Sequence, residues 1–185
     1  MKYTIYPVLS FITLTSFSLS TPMNEFSVIL EPKWENLESN TKKTEEFGGK
    51  WVLVGSITFK KNSKESVNLN NIYLRWQGEN IENLVGSLYK KKSDKNFIPI
   101  QDYLICDSVW NKAKQTLILK FDEKQTLGPS TTFYLVLTIP EKIEKKVQNG
   151  SFIIEKEHLP DQFKGYAQQH SLSLALHSHS QSIST

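Results

Sequence analysis

Hydrophobic and polar residues alternate along most of this chain, so that side chains of one kind recur at every second position. In residues 132–139, the side chains of Phe133, Leu135, Leu137 and Ile139 fall on one face. A period of two predicts a β-strand with one face buried and the other in water. Similar apolar or alternating runs cover residues 26–30, 51–59, 69–77, 84–89, 103–109, 115–121, 151–157 and 172–176.

The spacing of these runs predicts the fold class. Short strands separated by turn-rich segments favour antiparallel sheets over βαβ units. Each sheet has an apolar face that a second sheet must cover. The sequence therefore predicts an all-β, antiparallel two-sheet sandwich, immunoglobulin-like or jelly-roll-like, with one short helix over residues 140–147.

Residues 1–20 have the layout of a secretory signal peptide. Lys2 supplies a positive start, residues 3–19 contain no charged side chain, and small residues predict cleavage after Ser20. A cleaved signal predicts a secreted or periplasmic, extracytoplasmic protein with no permanent membrane span. Thr and Ser dilute the segment and Pro7 interrupts it, so an uncleaved anchor and a buried first strand remain open alternatives.

The rest of the chain is predicted to form one domain over residues 21–176, followed by a polar tail over residues 177–185. The formal net charge is +3, and Arg75 is the single arginine among 22 basic residues. Proteins that grip phosphates in a bidentate way use more arginine than this. Nucleic acid is therefore not an expected partner.

The motifs that mark common enzyme classes do not occur in this sequence. There is no G-x-S-x-G, no phosphate-binding G-x-x-x-x-G-K-[ST], no H-E-x-x-H and no C-x-x-C. This favours a protein that is not an enzyme and uses no cofactor. A hydrolase acting through a carboxylate pair stays open, since Glu155 and Glu157 would share one face of a strand.

The one cysteine, Cys106, lies in an apolar run and is predicted to be a buried small hydrophobic residue. Its neighbours Asp102 and Asp107 would raise the pKa of the thiol, which argues against a catalytic role. His177 and His179 are two positions apart and would point the same way in a strand. They are candidate metal ligands, although the Ser-rich surroundings favour a solvated tail.

Aromatic residues supply the candidate binding site. Trp51 and Trp76 share their strand faces with aliphatic residues and are predicted to lie in the core. An exposed aromatic side chain instead offers a flat apolar face on which a sugar ring stacks. The candidates for ligand binding are Trp110, Asn111, Tyr89 and Trp34.

These patterns together predict an exported, non-catalytic β-sandwich that binds a protein partner or a glycan. Two other classes remain as alternatives. One is the hydrolase with a carboxylate pair, and the other is a structural subunit of a surface assembly that joins its neighbours by edge-strand addition.

Overall fold

The computed structural model describes residues 26–37, 50–91, 103–165 and 172–173. The predicted signal peptide (residues 1–20), the polar tail (residues 177–185) and the pair His177 and His179 lie outside these ranges. The strands of the described part are β1 (Phe26–Asn36), β2 (Lys50–Lys61), β3 (Val67–Gln77), β4 (Val85–Lys90), β5 (Tyr103–Asn111), β6 (Thr116–Leu127), β7 (Ser130–Ile139), β8 (Ser151–Ile154) and β9 (Leu172–Ser173). Two helices, α1 (Glu141–Gln148) and α2 (Asp161–Lys164), and a 3-10 turn (Lys156–His158) complete the described elements.

The strands form one curled antiparallel sheet in the order β1-β2-β7-β4-β5-β6-β3-β8-β9. Strand β5 joins its two halves. The first part of β5, up to Asp107, pairs with β4, and the part from Ser108 onward pairs with β6. Because β5 passes from one layer to the other, β1, β2, β7 and β4 form a first layer, and β6, β3, β8 and β9 form a second.

The two layers pack face to face around a single large core. Phe133 on β7 stacks on Phe121 on β6, with the ring centroids 5.7 Å apart. Gly86 on β4 approaches Leu117 on β6 so closely that an added Cβ would lie 3.0 Å from a leucine methyl group. These contacts confirm the predicted all-β antiparallel sandwich.

Helix α1 confirms the helix predicted for residues 140–147, displaced by one residue. Pro140 precedes the first turn, where its missing N–H costs nothing, and Glu141 and Glu144 lie near the positive end of the helix dipole. Strand β8 is shorter than the predicted strand over residues 151–157. Because a 3-10 turn follows directly, Glu155 and Glu157 do not share a strand face.

The prediction that Trp51 lies in the core is wrong, and a β-bulge is the reason. The register between β2 and β7 shifts between Leu53 and Gly55, which inserts one extra residue into β2. An extra residue reverses the alternation of faces on one side of the bulge. Trp51 and Leu53 therefore point away from the core, whereas Val52 and Val54 point into it.

The prediction that Trp76 lies in the core is confirmed, because only 4 % of this residue is exposed.

The first and last strands of the sheet order, β1 and β9, lie in contact, so the described sheet curls back on itself. Among the helices of the described ranges, none combines the length and apolar character required to cross a membrane.

Candidate functional site

The outer face of the first layer carries aromatic and apolar side chains where a sandwich usually presents polar ones. Antiparallel pairing aligns its side chains in transverse rows, because residues directly opposite each other point to the same face. One row, here called the tyrosine row, crosses five strands. It consists of Glu31, Ser56, Tyr134, Tyr89 and Leu104.

A second row of side chains lies on the same face, two residues further along β7, and the side chains at its centre are buried. Leu53 pairs with Val136, and Val136 pairs with Ser87. Leu53 is 1 % exposed, Val136 is 3 % exposed, and Tyr89 of the tyrosine row is 8 % exposed. Outer faces of antiparallel sheets are normally wet. This small apolar cluster, separate from the main core, therefore marks the face as specialised.

A groove opens on this face between β1, β2 and β7. Its volume is about 210 Å³, and its lining combines an aromatic ring, an aliphatic floor, a hydroxyl group and two opposite charges. The strands hold these groups on rigid backbone, which preorganises them for a ligand. The lining residues are Glu31, Pro32, Lys33, Leu53, Gly55, Ser56 and Tyr134.

The polar groups of the groove come from β1 and β2. The hydroxyl group of Ser56 donates a hydrogen bond to Oε2 of Glu31 over 3.4 Å. Lys33 Nζ lies 2.5 Å from Oε2 of Glu35, so a neighbouring carboxylate balances its charge. The groove thus offers hydrogen-bond acceptors and donors.

Tyr134 lines the groove from the centre of β7. Lys91, which follows β4, places its Nζ 5.3 Å from the centroid of the Tyr134 ring. This is cation–π geometry, in which the negative face of the ring attracts a positive charge. The ring therefore has an environment that already accommodates an ammonium group.

Tyr89, predicted as a ligand-binding residue, lies next to Tyr134 in the tyrosine row but outside the groove lining. Burial raises the pKa of its phenol, the carboxylate of Asp107 raises it further, and a hydrogen bond from Ser87 acts in the opposite direction. The Ser87 hydroxyl group also donates to Asp107 Oδ1 over 2.6 Å. Tyr89 is thus a neutral, largely covered side chain that supports Tyr134.

The other predicted ligand-binding residues lie elsewhere. Trp110 is half-buried against the main core, and its indole N–H donates to the carbonyl oxygen of Ile81 over 3.2 Å. Asn111 accepts a hydrogen bond from the backbone N–H of Lys114 and so closes the β5–β6 turn. Trp34 also packs against the main core. The structure does not bring these three residues together with Tyr89, and ligand binding by them stays a prediction.

Sequence reasoning missed Tyr134, Glu31 and Leu53. The available signal was the uninterrupted apolar run over residues 133–137, in which Tyr134 and Val136 fall between the predicted core positions. A strand that is apolar on both faces is covered on both faces. Such a run indicates a second contact surface.

Cys106 is 5 % exposed and belongs to the main core, as predicted. Burial raises the pKa of its thiol to about 12, with further contributions from Asp107 and Asp122. The predicted contribution of Asp107 is thus in the expected direction, and Asp102 lies outside the described residues. Among the residues described, no group of three or more His, Cys, Asp or Glu side chains is placed to hold a metal ion.

We expect Cys106 to react slowly with a disulfide-exchange reagent in the folded protein at pH 8. With a pKa of about 12, roughly one thiol in ten thousand is ionised at that pH, and the thiolate is the reactive form. Urea exposes the thiol and returns its pKa to about 8.5, so labelling becomes fast. The absorbance of the thiolate that the reagent releases measures the labelling rate of the native protein and that of the urea-unfolded protein. Complete labelling of the native protein within seconds contradicts this expectation.

Comparison with known proteins gives distant structural similarity. No protein-family model matches the sequence, and no curated protein matches it. A solved structure of the CBM32-1 and CBM32-2 domains from Clostridium perfringens ZmpB is 12% identical, and the match covers 66% of this chain and 37% of that chain with a TM-score of 0.29. The same domains in complex with GalNAc are 11% identical, with coverage of 62% and 32% and a TM-score of 0.27.

This chain spans about a third of the length of either solved chain. TM-scores in this range do not establish a common overall fold. The function proposed below therefore rests on the residues of this chain.

Proposed function

We propose that this protein is an exported, non-catalytic β-sandwich that binds a glycan in the groove of its outer face. The observation that carries the proposal is the arrangement within the tyrosine row. There, Glu31, Ser56 and Tyr134 are successive cross-strand neighbours that together line a groove of about 210 Å³. Export is part of the proposal and is supported by the pattern of residues 1–20.

The chemistry of the groove suits a sugar ring. A sugar has apolar C–H faces, surrounded by hydroxyl groups that donate and accept hydrogen bonds. An aromatic ring covers the apolar face, while the Glu31 carboxylate and the Ser56 hydroxyl group lie within reach of the rim. The volume is below the roughly 300–1,000 Å³ of pockets for drug-sized ligands. A single ring or the end of a glycan chain therefore suits the groove.

Binding without catalysis follows from the composition of the groove. Most glycoside hydrolases place two carboxyl groups on either side of the bond that they cleave. Glu31 is the one carboxylate among the lining residues. The surface-assembly alternative needs an open sheet edge, and in the described sheet the two-residue strand β9 lies in contact with part of β1.

A protein partner is the second candidate, and a separate feature favours it. Large apolar side chains are exposed on β4 and β5, outside the groove. They are Val85 at 47 %, Tyr103 at 56 %, Leu104 at 53 % and Val109 at 65 % exposure. Large exposed apolar side chains on a folded domain are a feature of protein contact surfaces.

Tyr134→Ala is expected to weaken glycan binding about tenfold, since removing a stacking ring costs about 1.4 kcal/mol. Isothermal titration with a panel of soluble oligosaccharides measures the affinity. Tyr134→Phe keeps the ring and is expected to retain most of the binding. A melting curve for each variant separates lost binding from lost folding.

Tyr103→Ala is the matched control, because Tyr103 is an exposed tyrosine on β5 outside the groove. It is expected to leave glycan affinity unchanged. If Tyr103→Ala reduces binding as much as Tyr134→Ala does, the ligand occupies the exposed apolar surface and the groove is not the site. If the wild-type protein binds no oligosaccharide of the panel, the proposed function is wrong.

A further inference from the structure

The two charged residues that line the groove differ in their partners. Lys33 and Glu31 both line it, but Lys33 forms its ion pair with Glu35, 2.5 Å away. The contact of Glu31 is the Ser56 hydroxyl group at 3.4 Å, and none of the ion pairs between described residues includes Glu31. Among the described residues, the Glu31 carboxylate therefore lines the groove outside any ion pair.

This carboxylate shares the groove with an aromatic ring that attracts cations. Lys91, which follows β4, places its Nζ 5.3 Å from the ring centroid of Tyr134, and the residues that line the groove lie on β1, β2 and β7. A carboxylate forms strong, charge-assisted hydrogen bonds with an ammonium group. The face of an aromatic ring adds an electrostatic attraction to the same group. Together they make a site that prefers a positively charged ligand.

We propose that the groove selects glycans that carry a free primary amine, such as deacetylated amino sugars. The ammonium group of the glycan binds between Glu31 and Tyr134. This inference rests on the proposed function. An acidic sugar would place its carboxylate near that of Glu31, and like charges in a confined site repel. An N-acetylated sugar is neutral and forms no charge-assisted hydrogen bond with Glu31.

The test compares three oligosaccharides that share a β-1,4-linked glucose-type backbone. These are tetramers of glucosamine, N-acetylglucosamine and glucose, titrated calorimetrically at one pH and one ionic strength. We expect the glucosamine tetramer to bind at least about tenfold more tightly than the other two, which is the size of one charge-assisted hydrogen bond. Raising the salt concentration should reduce this preference.

Glu31→Gln keeps the shape of the side chain and removes its charge. It is expected to lower the affinity for the glucosamine tetramer about tenfold. The affinity for the glucose tetramer should fall much less, because the amide oxygen of glutamine still accepts a hydrogen bond from a sugar hydroxyl group. Glu123→Gln makes the same change of net charge on β6, outside the groove, and is expected to alter neither affinity. A larger loss of affinity for the glucosamine tetramer than for the glucose tetramer distinguishes charge recognition from a general loss of folding.

The outcomes distinguish this inference from the proposed function. If all three tetramers bind equally and Glu31→Gln changes nothing, the amine selectivity is wrong and glycan binding stands. If no tetramer and no other oligosaccharide binds, both proposals fail. If a lysine-rich peptide binds in place of the glucosamine tetramer and Glu31→Gln abolishes that binding, the groove recognises a protein cation and the amino-sugar assignment is overturned.

Discussion

Gly150→Ala is expected to lower the free energy of unfolding by about 3 kcal/mol, at the upper end of the usual cost of overpacking. Gly150 lies between α1 and β8 and is buried. A Cβ atom at this position would lie 1.9 Å from Cη2 of Trp76. No pair of carbon atoms tolerates that distance, so either the indole or the backbone must move.

The indole of Trp76 has little freedom to move. Its N–H donates to the carbonyl oxygen of Glu79 over 2.9 Å, and its ring packs against Phe152 with the centroids 5.0 Å apart. Gly78 approaches the same ring, where an added Cβ would lie 2.7 Å from Cζ2. Displacing the indole therefore breaks a hydrogen bond and an aromatic contact in the core.

Urea unfolding monitored by Trp fluorescence measures the effect of Gly150→Ala. The matched control is Gly165→Ala, because an added Cβ at that position meets no atom within 4 Å. We expect this control to unfold at the same urea concentration as the wild type or at a slightly higher one. If Gly150→Ala is as stable as the control, the indole of Trp76 can move aside without loss of stability, and the tight packing described above is wrong.

Phe163→Ala is expected to lower the free energy of unfolding by about 3–5 kcal/mol, the cost of deleting a fully buried ring. Phe163 is 0 % exposed. Its ring meets Phe26 edge-on at 5.3 Å and Phe59 edge-on at 5.4 Å. Helix α2, which carries Phe163, has four residues and is too short to be stable alone.

The ring of Phe163 therefore anchors the chain after β8 to β1 and β2. Lys164→Ala is the control, since this side chain is exposed and pairs with Asp161 on the surface. Surface ion pairs of this kind contribute little to stability. The urea midpoint of Lys164→Ala should therefore equal that of the wild type. An equal midpoint for Phe163→Ala would show that α2 does not contribute to the core.

Alternation alone was sufficient to predict the antiparallel sandwich, because burial on one face of a strand leaves a period of two in the sequence. It located β7 and β2 correctly and placed Trp76 in the core. It failed at Trp51, because the bulge between Leu53 and Gly55 depends on the pairing of β2 with β7. Gly55 is typical of a bulge position, but a glycine by itself does not show on which side of it the buried face changes.

The candidate site was mostly beyond the sequence. Tyr89 was singled out, and it lies beside Tyr134 in the tyrosine row. Glu31, Ser56 and Tyr134 are far apart in the chain, and only the pairing of three strands places them side by side. Trp110 and Trp34 drew attention by residue type, yet both pack against the main core.

The sequence by itself determined which segments become strands, where the helix begins and that Cys106 is buried, because these features depend on local periodicity and hydrophobicity. The tertiary structure alone decided that β5 joins two layers and that an outer face bears a groove lined by Tyr134 and the Glu31 carboxylate. Strand order and register follow from the packing of distant segments, and neither is encoded within any one of them. The charge balance of the groove is likewise a property of neighbours that only the folded sheet defines.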